Sequence, residues 1–138
     1  MSRRDSRIAA FTLLFESEFH PELKFSEIYA QAEEVRELSM DSFAKKLYET
    51  VCDNISEINK LIEETSKNWK ISRMSAVSRS IVRLAVAEIT YTDVPPKVAI
   101  NEAVEIAKVY DDDKAPAFVN GVLNKIARQI GKIACDEQ

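Results

Sequence analysis

VSRSIVRLAVAEITYTDVPPKVAINEAVEIAKVYDDDKAPAFVNGVLNKIAR, residues 77–128, decides the fold class. Within it Val77, Ile81, Leu84, Ala85 and Ile89 recur at three and four, the period of one helix face. The run TDVPPK at 92–97 then interrupts the chain, because a proline pair cannot continue a helix. Asn101 suits the N-cap of the next helix, EAVEIAKVY, with Glu102 and Glu105 in its favourable first turns. DDDKAP at 111–116 breaks the chain again. Pro116 suits the first turn of a last helix that buries Val119, Val122, Leu123, Ile126 and Ile130.

Toward the N-terminus the same period persists, and no proline occurs between Pro21 and Pro95. Ile8, Phe11, Phe15 and Phe19 form one stripe; Phe25, Ile28, Ala32, Val35 and Leu38 form another. Phe43, Leu47, Val51, Ile55, Ile58, Ile62, Thr65 and Trp69 continue a single face. That is one long helix or two joined near Asn54–Ser56, where both residue types suit a cap. Alternating apolar and polar segments of useful length, internal repeats and low-complexity tracts are all missing. The reading is all-α: a compact bundle of about six or seven helices, one domain over residues 1–138.

Composition narrows the function. With 46% hydrophobic and 30% charged residues, the chain has the balance of a soluble globular protein. No apolar run approaches the roughly 18 residues that span a bilayer. The N-terminus lacks the apolar core and cleavage site of a signal peptide, so a cytoplasmic location is expected. Cys52 and Cys135 are expected as free thiols of a reducing compartment. Gly121 and Gly131 are the two glycines, too few for a phosphate-cradling loop or a dinucleotide fingerprint. His20 precedes Pro21 in a turn, without a second histidine or a nearby cysteine to build a metal or triad site. The carboxylates fall on solvated helix faces. No catalytic centre, cofactor or small-molecule substrate follows from these residues.

Charge is strongly segregated. Glu16 to Glu64 holds 13 acids against 5 bases, a local charge of −8. Thr65 to Ala87 holds Lys67, Lys70, Arg73, Arg79 and Arg83 with no acid. Arg83 sits beside the apolar stripe, where it is placed to pair with a carboxylate inside the bundle. Arg3, Arg4 and Arg7 open the first helix, where the helix dipole disfavours each cation by up to about 1 kcal/mol. Ser2 and Asp5 suit a capping-box arrangement there, which would set Arg3 and Arg7 one turn apart on an exposed face. The last helix adds Lys125, Arg128 and Lys132. A polyanion can bind such patches despite a net charge of −4, because local field governs contact at screening lengths near 10 Å. In FVNGVLNKIAR, Gly121 stands mid-helix at a cost of roughly 1 kcal/mol, which suggests close approach of another backbone. Phe118 is either an exposed platform for an unpaired base or a packing residue over Gly121.

VPPKVAINEAVEIAKVY (94–110) followed by FVNGVLNKIA (118–127) resembles the C-terminal signature of the bacterial NusB family of transcription antitermination factors. RRDSRIAAFTLLFESEF (3–19) is similar to that family's arginine-rich first helix, and NWKISRMSAVSRSIVRLAVAEI (68–89) to its central segment. The resemblance implies two small helical sub-bundles, no catalysis, and binding of boxA, a single-stranded RNA element of ribosomal RNA leaders. It implies a heterodimer with NusE, the small-subunit ribosomal protein, and read-through of terminators by the RNA polymerase elongation complex. Carried onto this chain, the arginine motif falls on Arg3, Arg4 and Arg7 as phosphate contacts and its aromatic on Phe15. The last-helix surface falls on Phe118, Asn120 and Lys125, and Arg79 matches a basic position of the central segment. Asp5 stands where relatives often carry another base, Phe15 where many carry tyrosine, and Ala117 where lysine is common. Lys114 is placed to compensate from the preceding loop.

Two other readings compete. One is the related RNA-binding domain of ribosomal RNA cytosine methyltransferases, severed from its catalytic part. The other is a helical protein–protein adaptor whose basic patches are merely solvated.

Overall fold

The computed structural model of the protein describes residues 2–36, 40–65 and 70–132. Among these, seven α-helices are separated by short connections: α1 Arg3–Ser17, α2 Phe25–Arg36, α3 Ser42–Asp53, α4 Ile55–Thr65, α5 Ala76–Tyr91, α6 Pro96–Tyr110 and α7 Ala115–Gln129. A single 3-10 turn, Ile71–Arg73, leads into α5. The all-α expectation holds.

Local chemistry sets the boundaries. Ser2 caps α1 by accepting the Asp5 N–H at 3.0 Å, and Asp41 caps α3 through the Ala44 N–H at 2.8 Å. Ser75 does the same for α5 with the Ser78 N–H at 3.0 Å. The long face from Phe43 is two helices, divided at Asn54, whose backbone leaves the helical region. Trp69 and Leu38 lie outside the described residues, as do the side chain of Val35 and the whole of Cys135. One boundary differs from the sequence reading: Asn101 caps nothing. Pro95 is the N-cap of α6 and Pro96 lies in its first turn, since a fixed φ near −65° starts a helix as readily as it ends one. Ala99 and Ile100 are thereby buried a turn earlier than expected.

α1, α2 and α3 pack on one another, and α4, α6 and α7 form a second group. α5 belongs to both, packing on α1 and α3 on one side and on α4, α6 and α7 on the other. That position explains its composition. A helix packed on most sides is largely apolar, and Ile81, Val82 and the run Leu84–Ile89 are buried, with Glu88 the one charged residue among them. The buried face of α1 is rotated from the expected stripe: Ala10, Leu13 and Leu14 are inside, Ile8 and Phe15 are half-buried at its edge. Phe19 is 60% exposed because α1 ends at Ser17 and the stripe has no helix left to ride on.

A candidate nucleic-acid interface

The first turn of α1 is tied to α3 and to α6 at once. Ser6 Oγ donates to Asp41 Oδ2 at 2.7 Å, linking the starts of α1 and α3. The hydrogen bond from Ser6, with the Ala44 N–H, holds the Asp41 carboxyl below its ordinary range. Arg3 lies with its guanidinium 4.2 Å from the ring centroid of Phe43, a cation–π contact that leaves the residue exposed. Arg4 reaches the other way, donating from Nε to Glu102 Oε2 at 2.8 Å and from Nη2 to Glu102 Oε1 at 3.4 Å.

Arg7 departs from expectation. It does not share an exposed face with Arg3; it is buried, with Nε 2.7 Å from Glu88 Oε1 and Nη2 2.8 Å from Glu88 Oε2. The hydrogen bonds to Glu88 outweigh burial and raise its pKa further above its already high value. Of the three arginines, Arg3 and Arg4 alone present their side chains outside.

Arg79 is also redirected. Its guanidinium donates to Glu18, with Nη2 at 2.6 Å from Oε2, and to the carbonyls of Ile71 and Met74. Arg83 meets the same carboxylate at 2.6 Å and Asn59 Oδ1 at 2.9 Å, the intra-bundle pairing expected of it. Burial alone would raise the Glu18 carboxyl, but the hydrogen bonds from Arg79 and Arg83 prevail and hold it below the usual range. The cluster fastens the C-terminus of α1 to α5 and the 3-10 turn, and it leaves Arg79 few donors for a ligand.

Along α1, Arg4, Ile8, Phe11 and Phe15 share one flank at helical spacing. That flank faces α6. The Arg4–Glu102 pair bridges the two helices near their starts, and the Phe11 and Tyr110 rings meet at 5.4 Å near their ends. Phe15 packs between Phe11 at 6.3 Å and Phe19 at 5.0 Å. Phe11 and Phe15, with Thr12, Val77 and Tyr110, line an almost wholly apolar cleft of about 260 Å³. Tyr110 is 45% exposed and Val109 73%, so the groove between α1 and α6 ends in an uncovered apolar patch. Sequence periodicity missed this patch because Val109 and Tyr110 sit on the flank of α6 where the buried stripe runs out.

The groove continues into α7. Ser78, next to Val77, donates to Asp111 Oδ2 at 2.6 Å, and Asp111 follows Tyr110. Beyond this bond lies a second cleft whose lining includes Lys114 and Phe118. On α7, Lys114, Phe118, Gly121 and Lys125 form one flank at spacings of four, three and four. Phe118 is half-buried against the core, intermediate between the two roles considered for it. Gly121 is exposed and a Cβ there would meet nothing within 4 Å, so no backbone of this chain requires the glycine. Asn120 does not join the strip. At 100° per residue it lies on the opposite flank of α7 from Phe118, where Asn124 Nδ2 donates to its Oδ1 at 3.2 Å. The structure thus sets Arg4 and Phe15 on the flank of α1 that faces α6, with Lys114 and Phe118 at the cleft beyond it; Arg3 turns to Phe43 on α3, Arg7 and Arg79 are held by acids, and Asn120 lies on the far flank of α7.

Comparison with known proteins identifies the arrangement. The sequence profile of the NusB family matches residues 4–128. The chain belongs to the NusB family. It is 39% identical over 137 residues to the transcription antitermination protein NusB of Natranaerobius thermophilus, covering 96% of this chain and 99% of that one. Against NusB of Listeria monocytogenes it is 41% identical over 128 residues, covering 92% and 97%. Among solved structures, NusB of T. maritima superposes with a TM-score of 0.83 at 34% identity, covering 94% of this chain and 92% of that chain. A complex of antitermination factors NusB and NusE with double-stranded RNA matches with a TM-score of 0.80 at 30% identity, covering 92% and 96%. As a NusB protein the chain is a transcription antitermination factor that acts by binding rather than by catalysis. Its helices form no membrane span among the described residues.

Proposed function

We propose that this NusB protein binds boxA-type single-stranded RNA of ribosomal RNA leaders together with NusE, and so promotes read-through by the RNA polymerase elongation complex. The observation that carries the reading is the strip that runs from Arg4 along the α1–α6 groove to Lys114 and Phe118, with Arg3 exposed beside its start. Its two ends are cationic and its middle is apolar, which suits two occupants side by side. Arg3, Arg4, Lys114 and Lys125 take phosphates, and Phe118 offers its ring for an unstacked base to stack against. Phe11, Phe15, Tyr110 and Val109 form the seat of the protein partner, because a cleft without charged lining fits an apolar anchor better than a sugar–phosphate strand. Arg7 and Arg79 act indirectly, by fixing α1 on α5. A relative solved in complex with NusE and double-stranded RNA supports these two classes of partner.

The test is a fluorescence-anisotropy titration of a boxA-type RNA and a scrambled control, each with and without NusE. Tighter binding of boxA, with the preference enlarged by NusE, is expected. Equal weak binding of both RNAs under every condition would favour the adaptor reading instead.

A further inference from the structure

The basic run Thr65–Ala87 contains a cation that the site described above does not use. Arg79 and Arg83 are both held by Glu18. Lys67 lies outside the described residues. Lys70 and Arg73 are exposed, and no ion pair involves either among the described residues. Arg73 ends the 3-10 turn, and that placement decides its surroundings. It lines the cleft of about 280 Å³ shared with Met74, Ser75, Lys114 and Phe118. Both α5 and α7 begin at this cleft, so their partial positive ends add to the two side-chain charges.

Two acids border the same cleft and are already engaged. Asp111 accepts from Ser78 Oγ at 2.6 Å, and Asp112 Oδ1 accepts the Lys114 and Ala115 N–H groups at 3.0 and 2.9 Å. The apolar wall is made by Met74 and the half-buried ring of Phe118. Two cations and an aromatic wall in one cleft match the chemistry of one nucleotide of a single strand: a base against a ring, with its phosphates near.

We infer that Arg73 is a phosphate ligand of the bound RNA, gripping the strand together with Lys114 at a nucleotide whose base lies against Phe118. This rests on the RNA-binding reading above and adds a contact that the arginine-rich motif and the last helix do not supply. The basic contribution of the central segment is Arg73, not Arg79.

Salt-dependent titration of boxA-type RNA onto the full chain with NusE tests it. R73A lowers the magnitude of the log–log salt slope by about 0.7, the value of one single-strand phosphate contact, while R73K keeps it. F118A weakens binding at every salt concentration and leaves the slope unchanged, since stacking releases no counterions. Thermal melting of R73A should match the unaltered chain, because the side chain holds no ion pair within the described fold. An unchanged slope in R73A, with R3A and R4A still lowering theirs, overturns the assignment of Arg73 alone. Absence of RNA binding by the unaltered chain overturns it together with the function on which it rests.

Discussion

Arg7 and Glu88, 81 positions apart in sequence, face each other in the core through two hydrogen bonds of 2.7 and 2.8 Å. Their side chains are 6% and 2% exposed, so the pair is a buried one that joins the arginine-rich start of α1 to the central helix. Removing one partner leaves an uncompensated charge inside the protein. R7A should destabilise by about 3–5 kcal/mol, and the apolar double replacement R7M/E88L by less than either single change. Thermal melting reads both. The folded double variant should keep the RNA salt slope of the unaltered chain; a slope lower by one contact would return Arg7 to the RNA surface.

Glu18 ties stability to pH. Its folded pKa lies below the ordinary carboxylate value near 4.3, so its contribution is fully present above that value. As the pH falls through the depressed folded value, protonation of Glu18 breaks its pairs with Arg79 and Arg83 and the contribution is lost. E18Q should lower stability by about 2–3 kcal/mol at neutral pH and flatten the acid limb of the stability curve. Parallel acid limbs in the two proteins would show that the cluster contributes nothing.

Arg3 and Arg4 differ in their tethers but not in their exposure class. R3A and R4A should each reduce the magnitude of the RNA salt slope by about 0.7, and the double variant by about twice that. Binding measured from low to high salt decides the matter. Slopes identical to that of the unaltered chain would take the first helix out of the interface.

Phe15 is the centre of the apolar patch. F15A should weaken association with NusE by roughly tenfold or more, as loss of an aromatic anchor does, while RNA titration without NusE keeps its salt slope. Calorimetry with NusE measures the first effect. The opposite pattern, intact NusE binding and weakened RNA binding, would move Phe15 to the nucleic-acid part of the strip.

Gly121 sits mid-helix with open space where a Cβ would be. G121A should therefore raise stability by up to about 1 kcal/mol, and a melting temperature higher by a few degrees would register it. A lower melting temperature would reveal a close neighbour that the geometry does not contain.

Much of this was legible along the chain. The three-and-four recurrence in α5, the break at the proline pair and the cap at Ser2 are local patterns, and each appears in the structure where the residues place it. Where the structure departs from the sequence reading, the reasons differ. Asn101 was a good cap by residue type, yet Pro95 and Pro96 had already started the helix. Arg7 looked like Arg3 and Arg4 because the acid that claims it lies on another helix. Asn120 is two positions from Phe118, but helix geometry puts the two on opposite flanks.

By itself the sequence determined the helices, most of their ends and the family to which they belong, because these depend on spacing within a few residues of one another. The tertiary structure alone decided which cations remain available: Glu88 removes Arg7 from the surface, Glu18 engages Arg79, and Arg3 and Arg4 stay outside. An ion pair forms where packing brings two charges together out of water, and no local pattern encodes which distant carboxylate that will be.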